Sequence, residues 1–154
     1  ERPSSEGPPK VEIQTRDVNP VALVDYAKTL IGVPYKYGSM IRKQGFDCSG
    51  FINYVFHHFD ISTPRSSVDF TDAGTEVPLR ESRPGDLILF TGTDTTGRVV
   101  GHMGIITGNH QGEIQFIHSS SGKHRGVIIS ALGHYYLMRF VKVIRVFPYD
   151  KEGY

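Results

Sequence analysis

The sequence contains a single cysteine, Cys48. An internal disulfide is therefore excluded. The lone thiol leaves the redox compartment open, because a secreted protein can keep one cysteine for catalysis. No run of about 20 apolar residues is present, so no transmembrane helix is expected. The chain opens at Glu1 without a methionine or a signal-peptide pattern, as a mature or trimmed chain would. Neither sign of charge dominates: 17 Lys and Arg face 16 Asp and Glu. The basic residues are scattered, which argues against a nucleic-acid partner held by bulk electrostatics. Repeats and low-complexity tracts are also missing. The seven histidines include no H-x-x-x-H pair and there is no second cysteine to join them, so neither a metal site nor any cofactor is expected.

At 154 residues the chain is expected to form one domain. Residues 1–16 are rich in Pro, Ser and Gly and read as a flexible tail or linker, with a short strand near Val11–Ile13; residues 17–150 read as the folded domain. Asn19 and Pro20 form a cap and first position for a helix, and Gly32 suits its end. A loop with Pro34, Tyr35, Tyr37 and Gly38 follows. A second helix is expected from Cys48 to about Phe59, with Asp47 as its cap and Phe51, Ile52, Val55, Phe56 and Phe59 as its apolar stripe. Val68–Ala73 reads as a short helix. After the turn Arg83-Pro84-Gly85-Asp86, strands are expected at Leu87–Phe90, Val99–Thr107, Glu113–Ser119, Val127–Ile129 and Phe140–Val146, with a turn at Gly108-Asn109. Helices first and adjacent strands after them point to an α+β fold with an antiparallel sheet.

The second helix places Cys48 at its first position. A helix N-terminus offers free backbone N–H groups and partial positive charge, both of which favour a thiolate. A thiol nucleophile needs a base, and the base needs an orienting group. His102 and His118 lie in consecutive strands, where antiparallel pairing can bring two side chains together on one face. Gly101 and Gly104 leave room beside His102. Cys48, His102 and His118 thus form a candidate nucleophile, base and orienter. Each has an ordinary structural role open to it as well: a buried small hydrophobe for Cys48, core histidines for the other two. His57 and His58 suit a helix end, His110 and His124 read as turn residues, and His134 stands beside Tyr135 and Tyr136.

Four segments carry a family resemblance. Phe46-Asp47-Cys48-Ser49-Gly50-Phe51 resembles the cysteine motif of the NlpC/P60 cell-wall peptidases. Arg83-Pro84-Gly85-Asp86-Leu87-Ile88-Leu89-Phe90 resembles the family's Pro-Gly-Asp-Leu strand, Gly101-His102-Met103-Gly104-Ile105 its histidine strand, and Phe116-Ile117-His118-Ser119-Ser120 the segment with the third polar residue. They occur in the family's order from about Asp17 to Val146. The resemblance implies a papain-like fold, with the nucleophile helix packed on a central antiparallel sheet. It implies hydrolysis of peptidoglycan stem peptides or muropeptides, at the bond between γ-D-glutamate and a diamino acid such as meso-diaminopimelate. Cys48 then attacks, His102 shuttles the proton, His118 orients His102, and the Cys48 N–H helps hold the oxyanion. Tyr35, Asp47, Ser49, Arg65 and Ser66 are implied to border or bind the substrate, with Tyr37 the alternative to Tyr35. A second glycine often follows the tyrosine loop in the family; here Gly38 precedes Ser39. The expected protein is an extracytoplasmic monomer, anchored through a removed N-terminal segment or secreted. An amidase or acyltransferase using the same thiol, and a non-catalytic wall-binding module, are the alternatives.

Overall fold

The computed structural model describes residues 12–122 and 125–149. The first helix, α1 (Pro20–Lys28), starts where the sequence places it: Asn19 Oδ1 accepts the Val21 N–H at 2.7 Å and proline occupies the first turn. It ends a turn before Gly32. That glycine has φ +99°, and its N–H donates to the Val127 carbonyl at 3.0 Å, so it joins the helix exit to the sheet rather than closing the helix. A two-stranded hairpin follows, β1 (Met40–Ile41) and β2 (Gly45–Phe46). Ser39 builds its base: the hydroxyl donates to the Gly45 carbonyl at 2.7 Å and the Ser39 carbonyl accepts the Asp47 N–H at 2.8 Å.

The second helix, α2 (Cys48–His58), begins at Cys48 with Asp47 as cap. Phe51, Ile52, Val55 and Phe56 of the expected stripe are fully buried, and Phe59 packs against them. Burial of side chains this size stabilises by about 1.5–3 kcal/mol each, which ties the helix firmly to the core. His57 and His58 lie in its last turn, and His58 stacks on Tyr26 of α1 at 3.7 Å between ring centroids.

Six strands form an antiparallel sheet: β3 (Thr75–Val77), β4 (Leu87–Thr91), β5 (Val100–His110), β6 (Glu113–Ser120), β7 (Gly126–Ala131) and β8 (Phe140–Arg145), in the spatial order β3-β8-β4-β5-β6-β7. One turn of helix, α3 (His134–Leu137), connects β7 to β8. The main core lies between α1, α2 and one face of the sheet; Ile13 of the N-terminal segment belongs to it. A second cluster covers the other face, where Ile88, Phe90 and Phe116 meet Tyr136 and Phe140.

Several boundaries differ from expectation. The Val68–Ala73 segment is a single 3₁₀ turn, Ser67–Phe70. Gly108-Asn109 is not the turn after β5: the strand runs on to His110 past an irregularity between Ile106 and Gly108. The reversal is made by Gln111 and Gly112, both at positive φ (55° and 92°), as a two-residue hairpin turn requires. Asn109 instead braces the neighbouring loop, donating to the carbonyls of Arg80 and Ser82. The hairpin β1–β2, strand β3 and helix α3 had no sequence signal. Val11, His124 and most of the expected tail lie outside the described residues, and Ile13 is in no strand.

Candidate active site

The cap of α2 fixes the position of Cys48. Asp47 Oδ1 accepts the Gly50 N–H at 2.6 Å. Glycine is required at position 50, because a Cβ there would fall 2.1 Å from the Ser39 carbonyl oxygen. The Cys48 thiol, half-buried, donates to the Gly101 carbonyl at 3.8 Å. The helix tip therefore meets β5 one residue before His102.

His102 faces Phe90 across the β4–β5 pairing. Its Nε2 lies 2.8 Å from Nδ1 of His118 on β6. Gly104 makes this approach possible: a Cβ on it would be 2.9 Å from the Ile117 carbonyl oxygen and 3.1 Å from the His118 Cβ. His118 is fully buried. Its other nitrogen, Nε2, lies 2.9 Å from Ser130 Oγ on β7. Two proton orders satisfy this chain, because the Ser130 hydroxyl can donate or accept. In the one suited to base chemistry, His102 Nε2–H donates to His118 Nδ1, and His118 Nε2–H donates to the Ser130 oxygen. His102 Nδ1 is then left unprotonated, as a base must be.

Cys48, His102, Ser130 and Tyr35 all line one cleft of about 530 Å³. Tyr35 pairs with Phe46 through a backbone bridge and lies under the Arg125 guanidinium, whereas Tyr37 is 89% exposed. The other residues expected to bind substrate lie outside the lining of this cleft. Arg65 Nη2 contacts Asp47 Oδ2 at 3.0 Å and its Nη1 donates to Ser49 Oγ at 2.9 Å. These three form one cluster, and none of them lines the cleft. Ser66 is exposed; it is the hydroxyl of the next residue, Ser67, that hydrogen-bonds towards the sulfur.

The electrostatics differ from the simple picture of a helix-activated thiolate. Burial and the adjacent Asp47 carboxylate push the Cys48 thiol up, and the Ser49 N–H, the Ser67 hydroxyl and the Cys48 N–H pull it back only in part. Burial holds His102 down to about 4, with Arg139 adding to the effect. His118 is pushed down too, by burial and by His102. Around neutral pH the site rests as a thiol beside a neutral imidazole pair.

Ser130, Tyr135, Tyr136 and Arg139 also border the cleft. Nothing in the residue pattern joins them to Cys48, since their place depends on how β7 and α3 return across the sheet. The adjacent Tyr135-Tyr136 pair was the available signal, read there only as the surroundings of His134.

A helix beginning at the cysteine and packed on a central antiparallel sheet, with the paired histidines on neighbouring strands, is the papain-like α+β arrangement. The chain belongs to the NlpC/P60 family, whose sequence pattern matches residues 32–145. It is 40% identical over 121 residues to the γ-DL-glutamyl hydrolase of Bacillus subtilis, an alignment that covers 79% of this chain and 28% of that protein. It is 38% identical over 117 residues to the murein DD-endopeptidase MepS/murein LD-carboxypeptidase of Escherichia coli, covering 75% of this chain and 56% of that one. It thus spans less than two thirds of either relative. The crystal structure of an NlpC/P60 family protein from Bacillus cereus matches the fold with a TM-score of 0.75 at 27% identity, over 87% of this chain and 42% of the other.

Proposed function

We propose that this chain is a cysteine endopeptidase that hydrolyses peptidoglycan stem peptides at the bond between γ-D-glutamate and a diamino acid. The observation that carries this is the opening of Cys48 and His102 onto one cleft while His102 Nε2 is held by His118 at 2.8 Å. Similarity to a murein endopeptidase supports the substrate class, and similarity to a γ-DL-glutamyl hydrolase supports a γ-glutamyl bond.

His102 Nδ1 takes the proton from Cys48 Sγ, and the thiolate attacks the scissile carbonyl carbon. The oxyanion that forms is met by the Cys48 backbone N–H at the start of α2, where no helical partner competes for it. As the C–N bond breaks, His102 returns the proton to the leaving amine and a thioester remains. Water attacks the thioester with His102 again as base, releasing the γ-glutamyl acid and the free thiol. His118 keeps His102 in the tautomer that presents Nδ1, and Ser130 does the same for His118. Tyr35 borders the bound peptide. Asp47, Ser49 and Arg65 act as one unit that anchors the acyl-side end of the stem, with Ser66 at its margin. The catalytic domain is taken as residues 17–150, because α1 shares the core of the matched segment. Its place of action is extracytoplasmic, where the wall is.

Incubation with defined muropeptides followed by mass spectrometry tests the reading. Release of an L-Ala–γ-D-Glu fragment is expected from the wild type and none from Cys48→Ala, which still binds the stem peptide. Cleavage by Cys48→Ala at the wild-type rate would refute the mechanism. Products cut at the sugar–peptide amide would identify an amidase instead.

A further inference from the structure

Arg139 lines the cleft, and it is the only fixed charge among the described residues that do so. The other lining side chains are aromatic, apolar or hydroxyl-bearing, apart from Cys48 and the neutral His102. Arg65, Lys142 and Arg145 each pair with an aspartate. Arg139 has no carboxylate partner among the described residues. It is nonetheless held in place: Nη1 donates to the Gly92 carbonyl, and the guanidinium lies over the Tyr135 ring at 4.6 Å. A guanidinium has five N–H donors. Four of them find no acceptor among the described residues, so the fork is pre-positioned and mostly unused. Arg145 shows the contrast, with two bonds to Asp86 and a third to the Glu81 carbonyl.

Arg139 and His102 line the same cleft, close enough for the guanidinium charge to act on the imidazole. Gly92, which Arg139 grips, abuts Gly101 so closely that a Cβ on Gly101 would lie 2.8 Å from the Gly92 Cα. Gly101 is the residue whose carbonyl meets the Cys48 thiol. His102 gives its proton to the leaving amine, so the leaving residue occupies this side. The Asp47–Arg65 cluster does not line this cleft.

We propose that Arg139 binds the side-chain carboxylate of the leaving diamino acid, so that the cleft takes a diamino acid with a second carboxylate, of the diaminopimelate type, in preference to lysine. This rests on the peptidase reading above for the direction of cleavage. A planar guanidinium meets a carboxylate through two parallel N–H···O bonds. Lysine keeps the terminal ammonium that diaminopimelate also has but lacks the carboxylate beside it, so the guanidinium meets a cation with no anion to bind. A group that only stapled α3 to the β4–β5 loop would not distinguish the two substrates.

The test measures binding to the Cys48→Ala protein by calorimetry, and cleavage by the intact enzyme. Three peptides are compared: L-Ala-γ-D-Glu-meso-diaminopimelate, the same peptide with its side-chain carboxyl amidated, and the L-lysine counterpart. The free diaminopimelate peptide is expected to bind about 10- to 100-fold more tightly than either of the others. Arg139→Gln is expected to remove the preference and Arg139→Lys to keep part of it. Equal binding of all three peptides would overturn the proposal, as would a loss in Arg139→Gln that is the same for each. The amidated peptide decides the matter on the unsubstituted Arg139 even where Arg139→Gln fails to fold. Preferential binding without cleavage would uphold this inference and sink the peptidase reading; cleavage without preference would do the reverse.

Discussion

His118 and Ser130 are joined at 2.9 Å, on the edge of the imidazole opposite the one that meets His102. His102, which lines the cleft, is therefore the first member of a chain of side chains that crosses three neighbouring strands, β5, β6 and β7. The Tyr136 hydroxyl extends it, through hydrogen bonding with Ser130.

Ser130→Ala removes the acceptor for His118 Nε2–H and frees His118 to take its other tautomer. The loss of one such bond corresponds to roughly a tenfold fall in kcat/KM with little change in fold. Ser130→Thr, which keeps the hydroxyl, should recover most of it. Steady-state kinetics over pH 4–8 separate this from a packing defect, because the variant's acid limb should move along with its rate.

His102, held down to about 4, must be neutral to act as base. The fall of kcat/KM on the acid side is thus expected near pH 4, well below the usual histidine value of about 6.5. Stability has the same origin. An unfolded chain takes up protons on these imidazoles from about pH 6.5 downward, whereas the folded one resists, so stability is complete above about 6.5 and drains away as the pH drops toward 4. Urea midpoints at pH 7, 5.5 and 4.5 should decline in that order; a flat series would contradict the burial of the pair.

Asp47 raises the Cys48 thiol through its charge while capping the helix. Asparagine caps equally well but is neutral. In Asp47→Asn the thiol should ionise at lower pH than in the wild type, read as the pH dependence of alkylation by iodoacetamide. An unchanged or raised profile would count against the charge effect.

Asp86 is fully buried and held by Arg145 through two hydrogen bonds, with the Arg83 N–H donating a third at 2.8 Å. Arg145→Ala strands that carboxylate and should cost about 3 kcal/mol or more, seen in chemical denaturation. Replacing Asp86 by alanine in the same chain should restore part of the loss.

Much of this was legible in the residues. Asp47, the stripe from Phe51 and the unbroken Leu87–Phe90 run each carry a local signal strong enough to set α2 and β4. The two glycines beside His102 likewise announced close neighbours, and Gly104 does admit the second ring. The β5 turn falls elsewhere than expected because Gly108-Asn109 looks like a reversal, while an irregularity inside the strand and an Asn109 side chain engaged elsewhere carry the chain three residues further. The sulfur's titration could not be read from the helix start alone, since burial and the cap's own charge outweigh the N–H groups. Ser67, Ser130 and Arg139 remained out of view because only the assembled sheet and loops bring them near Cys48.

The thiol and its partners come from widely separated parts of the chain: Cys48 and the carbonyl it meets are 53 positions apart, and the second imidazole comes later still. During synthesis α2 leaves the ribosome well before β5 and β6 exist. A nascent or truncated chain therefore holds its sulfur without a proton acceptor, and chemical competence arrives only with the closing of the sheet.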